Sequence, residues 1–180
     1  MALRSFPKEL GSMKMLEELW LGFTYDIRSP REPVGFHSFT SLSSLKNLNL
    51  SWREIEEENF SQNLDELSSL EELYLSGNHK LVKLPSSICH LSRLKRLEVN
   101  ECPGLKRLCG LPSSIQVLKA NDCISLEKIG DLSKEGDWLY KIWLSHNQKL
   151  LEDEENQRYL DKMLQLSFIK VVHLYLFNII

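Results

Sequence analysis

The sequence predicts an α/β repeat fold, in which short parallel strands alternate with irregular or helical segments and wind into a solenoid. The clearest unit lies at residues 70–97, LEELYLSGNHKLVKLPSSICHLSRLKRL, where Leu70, Leu73 and Leu75 precede Asn78. The same order of apolar residues returns along the chain every 21 to 29 residues. This L-x-x-L-x-L-x-x-N pattern is the signature of a leucine-rich repeat. We therefore expect a leucine-rich-repeat horseshoe with its short strands on the concave face.

Six apolar triplets mark the predicted strands. They are Leu16/Leu19/Leu21, Leu45/Leu48/Leu50, Leu70/Leu73/Leu75, Leu94/Leu97/Val99, Ile115/Leu118/Ala120 and Leu139/Ile142/Leu144. Their middle residues, at positions 19, 48, 73, 97, 118 and 142, give steps of 29, 25, 24, 21 and 24 residues. Because side chains two apart in a strand share a side, the last two members of each triplet are expected to fill the interior. About six units are predicted over residues 1–149.

The segments between the strands predict loops and a convex side that is irregular or helical. The segment Phe23–Thr40 carries two prolines and a glycine and indicates a loop. The acidic run Glu54–Glu58 is typical of a solvated surface. Leu64 and Leu67 then supply apolar positions at helical spacing. No polar cap precedes the first strand, although the end coils of a solenoid need covering.

Two later segments, Leu84–Ile88 and Leu111–Ile115, share the sequence L-P-S-S-I. Proline fixes one backbone dihedral angle and cannot donate a hydrogen bond. It therefore favours a turn at these positions and opposes a second ladder there.

The chain changes character after the sixth predicted strand. Residues 150–167 combine an acidic start with apolar residues at helical spacing, which predicts an amphipathic helix that caps the C-terminal end. Residues 168–180 form an apolar tail of 13 residues. This tail is too short to span a bilayer, and the sequence assigns it no role.

Composition and charge are those of one folded domain. Of the 180 residues, 42% are hydrophobic and 26% charged, and the formal net charge is −3. The proportions are ordinary, and a negative balance does not favour nucleic acid or anionic membranes. The N-terminus lacks the apolar run of a secretory signal. We therefore expect a protein of the cytoplasm, or of the nucleus as well, without a membrane span.

The cysteines indicate structural thiols. Cys102 and Cys123 stand where Asn78 and Asn147 stand in their own repeats. An asparagine at this place can bond the backbone groups that a turn leaves open, and cysteine is among the residue types most often buried. The chain has no C-x-x-C pair, so the sequence predicts neither a zinc site nor a redox motif.

The candidate binding residues flank the middle residue of each predicted strand on the concave face. Because neighbouring strands stack about 4.8 Å apart, these residues are expected to form columns. The predicted protein-binding residues are Glu18, Trp20, Asn47, Asn49, Glu72, Tyr74, Arg96, Glu98, Lys119, Lys141 and Trp143. Aromatic residues and arginine often anchor protein interfaces. The alternative is a solvated face whose aromatic rings only cover their neighbours in the ladder.

The same face is predicted to carry an ordered charge distribution. Glutamates at positions 17, 18, 71 and 72 mark its N-terminal half, and Lys95, Arg96, Lys119 and Lys141 mark its C-terminal half. Such an arrangement orients a charged partner more than it adds affinity.

Other classes of function receive no support from the residues. The sequence lacks G-x-S-x-G and H-E-x-x-H, and its five histidines are scattered without ligand spacing, so no enzyme, cofactor or metal site is predicted. The basic residues Arg93, Lys95, Arg96, Lys106 and Arg107 are few beside 25 acidic residues. Nucleic-acid binding is therefore not expected.

The combination of L-P-S-S-I, the segments Asn100–Cys102 and Asn121–Cys123, and residues 139–164 resembles the repeat region of plant intracellular nucleotide-binding leucine-rich-repeat disease-resistance proteins. The resemblance covers roughly Phe6 to Phe168 and is closest to the subclass with a Toll/interleukin-1-receptor domain. It implies recognition of a pathogen effector or a guarded host protein, together with contact to the nucleotide-binding domain of a full-length receptor.

The chain also departs from that family. It has no G-x-x-x-x-G-K-[ST] phosphate loop, no Toll-like segment and no domain of the kind that follows the repeats, so it resembles a truncated receptor. The alternative is a generic intracellular repeat scaffold or the substrate adaptor of a ubiquitin ligase, with the same fold and a different partner.

Overall fold

In a computed structural model, the chain is described over residues 12–22, 42–55, 64–130, 141–167 and 173–175. These residues contain nine short strands: β1 (Glu18–Trp20), β2 (Asn47–Asn49), β3 (Glu72–Tyr74), β4 (Arg96–Glu98), β5 (Arg107–Leu108), β6 (Val117–Lys119), β7 (Lys128–Ile129), β8 (Lys141–Trp143) and β9 (His173–Tyr175). They also contain the helices α1 (Gln148–Glu152) and α2 (Glu154–Ser167), and short 3₁₀ helices at Leu64–Glu66 and Ser86–His90.

The main sheet has seven parallel strands in the order β1-β2-β3-β4-β6-β8-β9. All six predicted strands are present, and each is centred on the middle residue of its triplet. The register pairs those middle residues in succession, from Leu19 with Leu48 to Leu118 with Ile142. The chain therefore advances by one strand per repeat and forms a solenoid of stacked coils, as the periodicity predicts.

The core runs through the coils as columns of leucine. The middle residues of β2, β3, β4, β6 and β8 are fully buried, and Leu19 of β1 retains 9% exposure. Leu64, Leu67 and Ile88, which lie between the main-sheet strands in sequence, belong to the same buried core. Each coil thus buries its apolar residues against the next coil, which is how a solenoid obtains its stability.

A second, two-stranded sheet of β5 and β7 was not anticipated from the sequence. It pairs Arg107 with Lys128 in parallel, and Lys83 forms an isolated bridge to Arg107. Lys83 and β5 precede the two L-P-S-S-I segments, whereas β7 is followed by Gly130. The signal for this sheet is a recurring apolar pair three residues apart, at 81/84, 105/108 and 126/129, whose members are all buried.

Five coils, those that begin with β2, β3, β4, β6 and β8, turn sharply after the strand through a residue with a left-handed backbone. These residues are Trp52, Gly77, Glu101, Asp122 and His146, with φ between 54° and 72°. The next residue then points back into the coil. In the third and sixth coils it is Asn78 and Asn147, whose side chains are 0% and 1% exposed.

The buried asparagines replace missing backbone partners, as predicted. Asn78 donates from Nδ2 to the carbonyls of Leu50 and Leu75, at 3.1 and 2.6 Å. Its Oδ1 accepts from the backbone N–H groups of Arg53 and Ile55, at 3.0 and 3.1 Å. The side chain therefore ties the turn of its own coil to the preceding coil, which satisfies polar groups that water does not reach.

Cys102 and Cys123 take the same place in the fourth and fifth coils. Their thiols donate to the carbonyls of Leu75 and Val99, at 3.4 and 3.0 Å. Burial raises the pKa of both thiols to about 12. Their expected role as buried structural thiols is confirmed, whereas Cys89 and Cys109 are exposed.

This division predicts thiol reactivity. At pH 8 we expect the exposed Cys89 and Cys109 of the native chain to react promptly with a disulfide reagent, because reaction requires an accessible thiolate. All four thiols should react in denaturant. The Cys89→Ser/Cys109→Ser variant should show no prompt reaction, and a prompt reaction in that variant would contradict the burial of Cys102 and Cys123.

The raised pKa values of Cys102 and Cys123 favour the protonated thiols in the folded protein. The contribution of these two thiols to stability should therefore decline as the pH rises from about 9 toward 12.

Gly77 predicts a second local effect. Its φ is +72°, and a Cβ atom added there would lie 2.2 Å from Cδ2 of Trp52. We expect Gly77→Ala to lower the free energy of unfolding by about 2–3 kcal/mol, because the ring must move and the backbone is strained.

Gly110 is the matched control for this substitution. It has φ +69° but open space around the added Cβ. Gly110→Ala should therefore cost only the backbone strain, about 1 kcal/mol. Equal losses for the two variants in urea titrations would show that the Trp52 ring does not constrain Gly77.

The C-terminal helical region is divided, whereas the sequence predicts one helix over residues 150–167. Asp153 separates α1 from α2, and its carboxylate accepts from the N–H of Asn156 at 2.9 Å. This side-chain bond caps α2 and favours a new helix start. Leu150 and Leu160 are buried in the core, and Asn156 donates to the carbonyl of Glu127 at 2.7 Å.

Of the apolar tail, residues 168–180, the structure describes only β9. This strand is the seventh of the main sheet and pairs with β8.

Candidate recognition surface

The candidate surface is the outward side of β1, β2, β3, β4, β6 and β8, here called the sheet face. Both predicted columns are present in register. The first column contains Glu18, Asn47, Glu72, Arg96, Val117 and Lys141, and the second contains Trp20, Asn49, Tyr74, Glu98, Lys119 and Trp143. The structure thus places all eleven predicted binding residues on one face, and their role in binding stays a prediction.

Two aromatic side chains meet near the N-terminal end of this face. The rings of Trp20 and Tyr74 lie with centroids 5.6 Å apart, tilted by 31°, across the strand that carries Asn49. Trp20 remains 58% exposed. Each ring also contacts a carboxylate of its own strand, since Trp20 Nε1 donates to Glu18 at 3.3 Å and Tyr74 donates to Glu72. Burial and the Glu72 carboxylate raise the pKa of Tyr74 to about 12.

The other end of the sheet face carries an aromatic ring with a cation. Lys119 Nζ lies 5.4 Å from the ring centroid of Trp143 and 2.8 Å from Oε1 of Glu98. The same carboxylate oxygen accepts from Arg96 at 3.2 Å. Glu98 therefore joins two cations of the C-terminal half.

A further row of charges, just before the first column, links the strands. Glu17 pairs with Lys46 at 2.8 Å, and Glu71 pairs with Lys95 at 2.7 Å. The Lys95 ammonium lowers the pKa of Glu71, and the Glu17 carboxylate raises the pKa of Lys46. Exposed pairs of this kind add little stability, so their main effect is on the charge that a partner meets.

The predicted charge ordering persists after these pairs are counted. Over β1–β3 and the residue just before each strand, four glutamates and Lys46 give a formal charge of −3. Over β4, β6 and β8 and the residue just before each, four cations and Glu98 give +3. The sequence prediction does not count the positive charge of Lys46 or the negative charge of Glu98, and each of them lowers the magnitude of the charge of its half by one unit. The sheet face is therefore acidic at one end and basic at the other.

A third column, just after the strands, has a structural role. Asn100 Oδ1 accepts from the N–H of Asn121 at 3.0 Å, and Asn121 Oδ1 accepts from the N–H of Ser145 at 3.0 Å. Ser76 accepts from the N–H of Asn100 in the same way, at 3.2 Å. These side chains extend the ladder beyond the strands, so their polar groups are engaged within the protein.

Neither a metal centre nor a membrane span is found in the part of the chain that the structure describes. Within those residues no group of three or more His, Cys, Asp or Glu side chains could hold a metal ion. No helix among them has the length and apolar character needed to cross a bilayer.

The chain is similar to several plant disease resistance proteins. It is 28% identical over 170 residues to TMV resistance protein N of Nicotiana glutinosa, which covers 82% of this chain and 15% of that protein. It is 30% identical over 127 residues to disease resistance protein RPS4B of Arabidopsis thaliana, which covers 71% of this chain and 10% of that protein. Disease resistance protein RPP5 of the same plant is 40% identical over 85 residues, 46% of this chain and 6% of that protein. No family model matches the chain.

Proposed function

This chain is homologous to one region of the plant disease resistance proteins with a Toll/interleukin-1-receptor domain, and from that relationship we propose that it is the protein-recognition module of an immune receptor. Its ligand is a pathogen effector or a guarded host protein, which it binds without catalysis. In a full-length receptor the same module also contacts the nucleotide-binding domain. Since the chain spans 15% or less of these relatives' length, the activity of the whole receptor is part of the proposal.

The observation that supports this function best is the set of three aromatic side chains in one register column. Trp20, Tyr74 and Trp143 share the second column of the sheet face, and Trp20 is largely exposed. Large aromatic residues, Trp and Tyr above all, are among the usual anchors of protein interfaces.

The proposed architecture is a leucine-rich-repeat horseshoe in the cytoplasm or nucleus, with the main sheet on its concave side. The continuous parallel order of the main-sheet strands, one per repeat, supports this architecture. Helices α1 and α2 cover the C-terminal end of the repeats, which the burial of Leu150 and Leu160 supports. Solenoids need such covering to hide the apolar side of the last coil.

A proximity-labelling comparison in plant tissue tests the function. The 180-residue chain is compared with the Trp20→Ala/Tyr74→Ala/Trp143→Ala variant, after circular dichroism shows that both fold. The matched control carries Arg107→Ala and Lys128→Ala on the second sheet together with Lys83→Ala at the isolated bridge to Arg107. We expect the control to label the same partner as the unaltered chain and the aromatic variant to lose at least about 90% of that labelling, as hot-spot losses of 2 kcal/mol or more predict. Unchanged labelling by the aromatic variant would overturn the proposal.

A further inference from the structure

The N-terminal part of the sheet face carries two copies of one arrangement. In β1 and in β3 a glutamate stands two residues before an aromatic residue and accepts a hydrogen bond from it. The two pairs, Glu18 with Trp20 and Glu72 with Tyr74, lie on either side of β2 and meet through their rings. We call these four residues the aromatic–acidic patch. Asn47 of the intervening strand donates to Glu18 at 3.3 Å.

An aromatic ring beside a carboxylate is suited to a cation. The ring face attracts positive charge, and the carboxylate accepts charge-assisted hydrogen bonds. A guanidinium group can stack on the ring and donate to the carboxylate at once, because it is planar and carries several N–H groups.

The same protein already uses this combination within its own sheet face. Lys119 lies over Trp143 while its ammonium bonds Glu98. At that end the cation comes from the chain itself. At the other end Arg96 Nε lies 3.6 Å from Oε1 of Glu72, whereas the rings of Trp20 and Tyr74 contact each other. Trp20 keeps 58% of its surface exposed.

We propose that the sheet face binds an extended protein segment whose arginine side chains lie on the aromatic–acidic patch and whose carboxylates face the cationic half of β4, β6 and β8. The inference rests on the proposed recognition function and adds the chemistry and orientation of the ligand. Charge complementarity supports it, since the two halves carry −3 and +3. Such complementarity fixes the direction in which a segment docks.

Short peptides test the arginine-containing part of the proposed ligand. Labelled, acetylated tetra-arginine, tetra-lysine and tetra-glutamate amides are titrated into the 180-residue chain, with binding followed by fluorescence anisotropy. We expect tetra-arginine to bind at least about fivefold more tightly than tetra-lysine, because guanidinium stacks on rings better than ammonium does. Tetra-glutamate should not compete with tetra-arginine.

Two variants locate the site. Trp20→Ala and Glu18→Gln/Glu72→Gln should each weaken tetra-arginine binding about fivefold or more. The matched control, Glu127→Gln/Glu155→Gln, removes two exposed carboxylates beside the second sheet and should leave binding within about twofold. Equal weakening by the control and the patch variants, or no weakening by either, would overturn the inference.

The two proposals can fail separately. Loss of partner labelling in the aromatic variant, without saturable tetra-arginine binding, would retain the recognition function and refute the basic ligand. Patch-dependent binding of tetra-arginine, with partner labelling unchanged in the aromatic variant, would retain the site and refute the recognition function. Binding of all three peptides with equal affinity would indicate nonspecific association and refute the inference.

Discussion

Replacing Asn78 with alanine is expected to lower the free energy of unfolding by about 3–5 kcal/mol. The buried amide makes four hydrogen bonds, two to carbonyls and two from backbone N–H groups. Alanine would leave these groups without partners in a site that is fully buried, and each unsatisfied buried group costs about 1–3 kcal/mol. Partial relaxation of the surrounding backbone keeps the total loss below the sum of these four costs. Urea denaturation followed by circular dichroism measures the loss.

Cysteine provides the matched control at this position, because the protein itself uses it there in two other coils. A thiol can donate to the carbonyl of the preceding coil, as Cys123 does to Val99, but it does not replace the acceptor that serves the N–H groups of Arg53 and Ile55. We therefore expect Asn78→Cys to cost about half as much as Asn78→Ala. If the two variants unfold at the same urea concentration, the hydrogen bonds of Asn78 are not what stabilises the turn.

Leu97→Ala is expected to have a similarly large effect, about 3–5 kcal/mol, because Leu97 is fully buried in β4 with coils on both sides. Removing its isobutyl group loses transfer free energy and leaves a cavity. Leu19→Ala should cost less, about 1–3 kcal/mol, since Leu19 lies in the edge strand β1 and retains 9% exposure. In a repeat protein, stability depends on interfaces with both neighbouring coils.

Denaturant titration of both leucine variants separates the middle of the solenoid from its end. The result expected is a larger fall in midpoint for Leu97→Ala with an unchanged slope, as a pure stability change requires. A larger loss for Leu19→Ala would mean that the coils do not share their core in the order that the strand register shows.

The strands and their register could be predicted because each leucine triplet combines two physical constraints. Alternation within a strand decides which residues enter the core, and a fixed repeat length aligns them between coils. Leu73 and Tyr74 illustrate this, since one is buried and the next lies on the sheet face. The columns of candidate binding residues follow from the same rule. The exchange of asparagine and cysteine at the turn was also visible, because both place a hydrogen-bond donor on a short side chain.

Three features of the structure were not predicted, each for its own physical reason. Strands of two residues such as β5 and β7 have no alternation to detect, and the apolar pairs three residues apart that recur with them do not by themselves indicate a ladder. The break between α1 and α2 depends on the carboxylate of Asp153 reaching the N–H of Asn156, which competes with continuing the helix. The contact between Trp20 and Tyr74 crosses an intervening strand, so the sequence columns do not reveal it.

Site-specific photo-cross-linking in plant tissue tests the central claim, recognition through the sheet face, most directly. A photoreactive phenylalanine analogue is placed at Tyr74 on the sheet face in one protein and at Arg107 on the second sheet in another, each after confirmation of folding. We predict that the partner found by proximity labelling cross-links from position 74 and not from position 107. Cross-linking from position 107 alone, or equally from both, would contradict recognition through the sheet face.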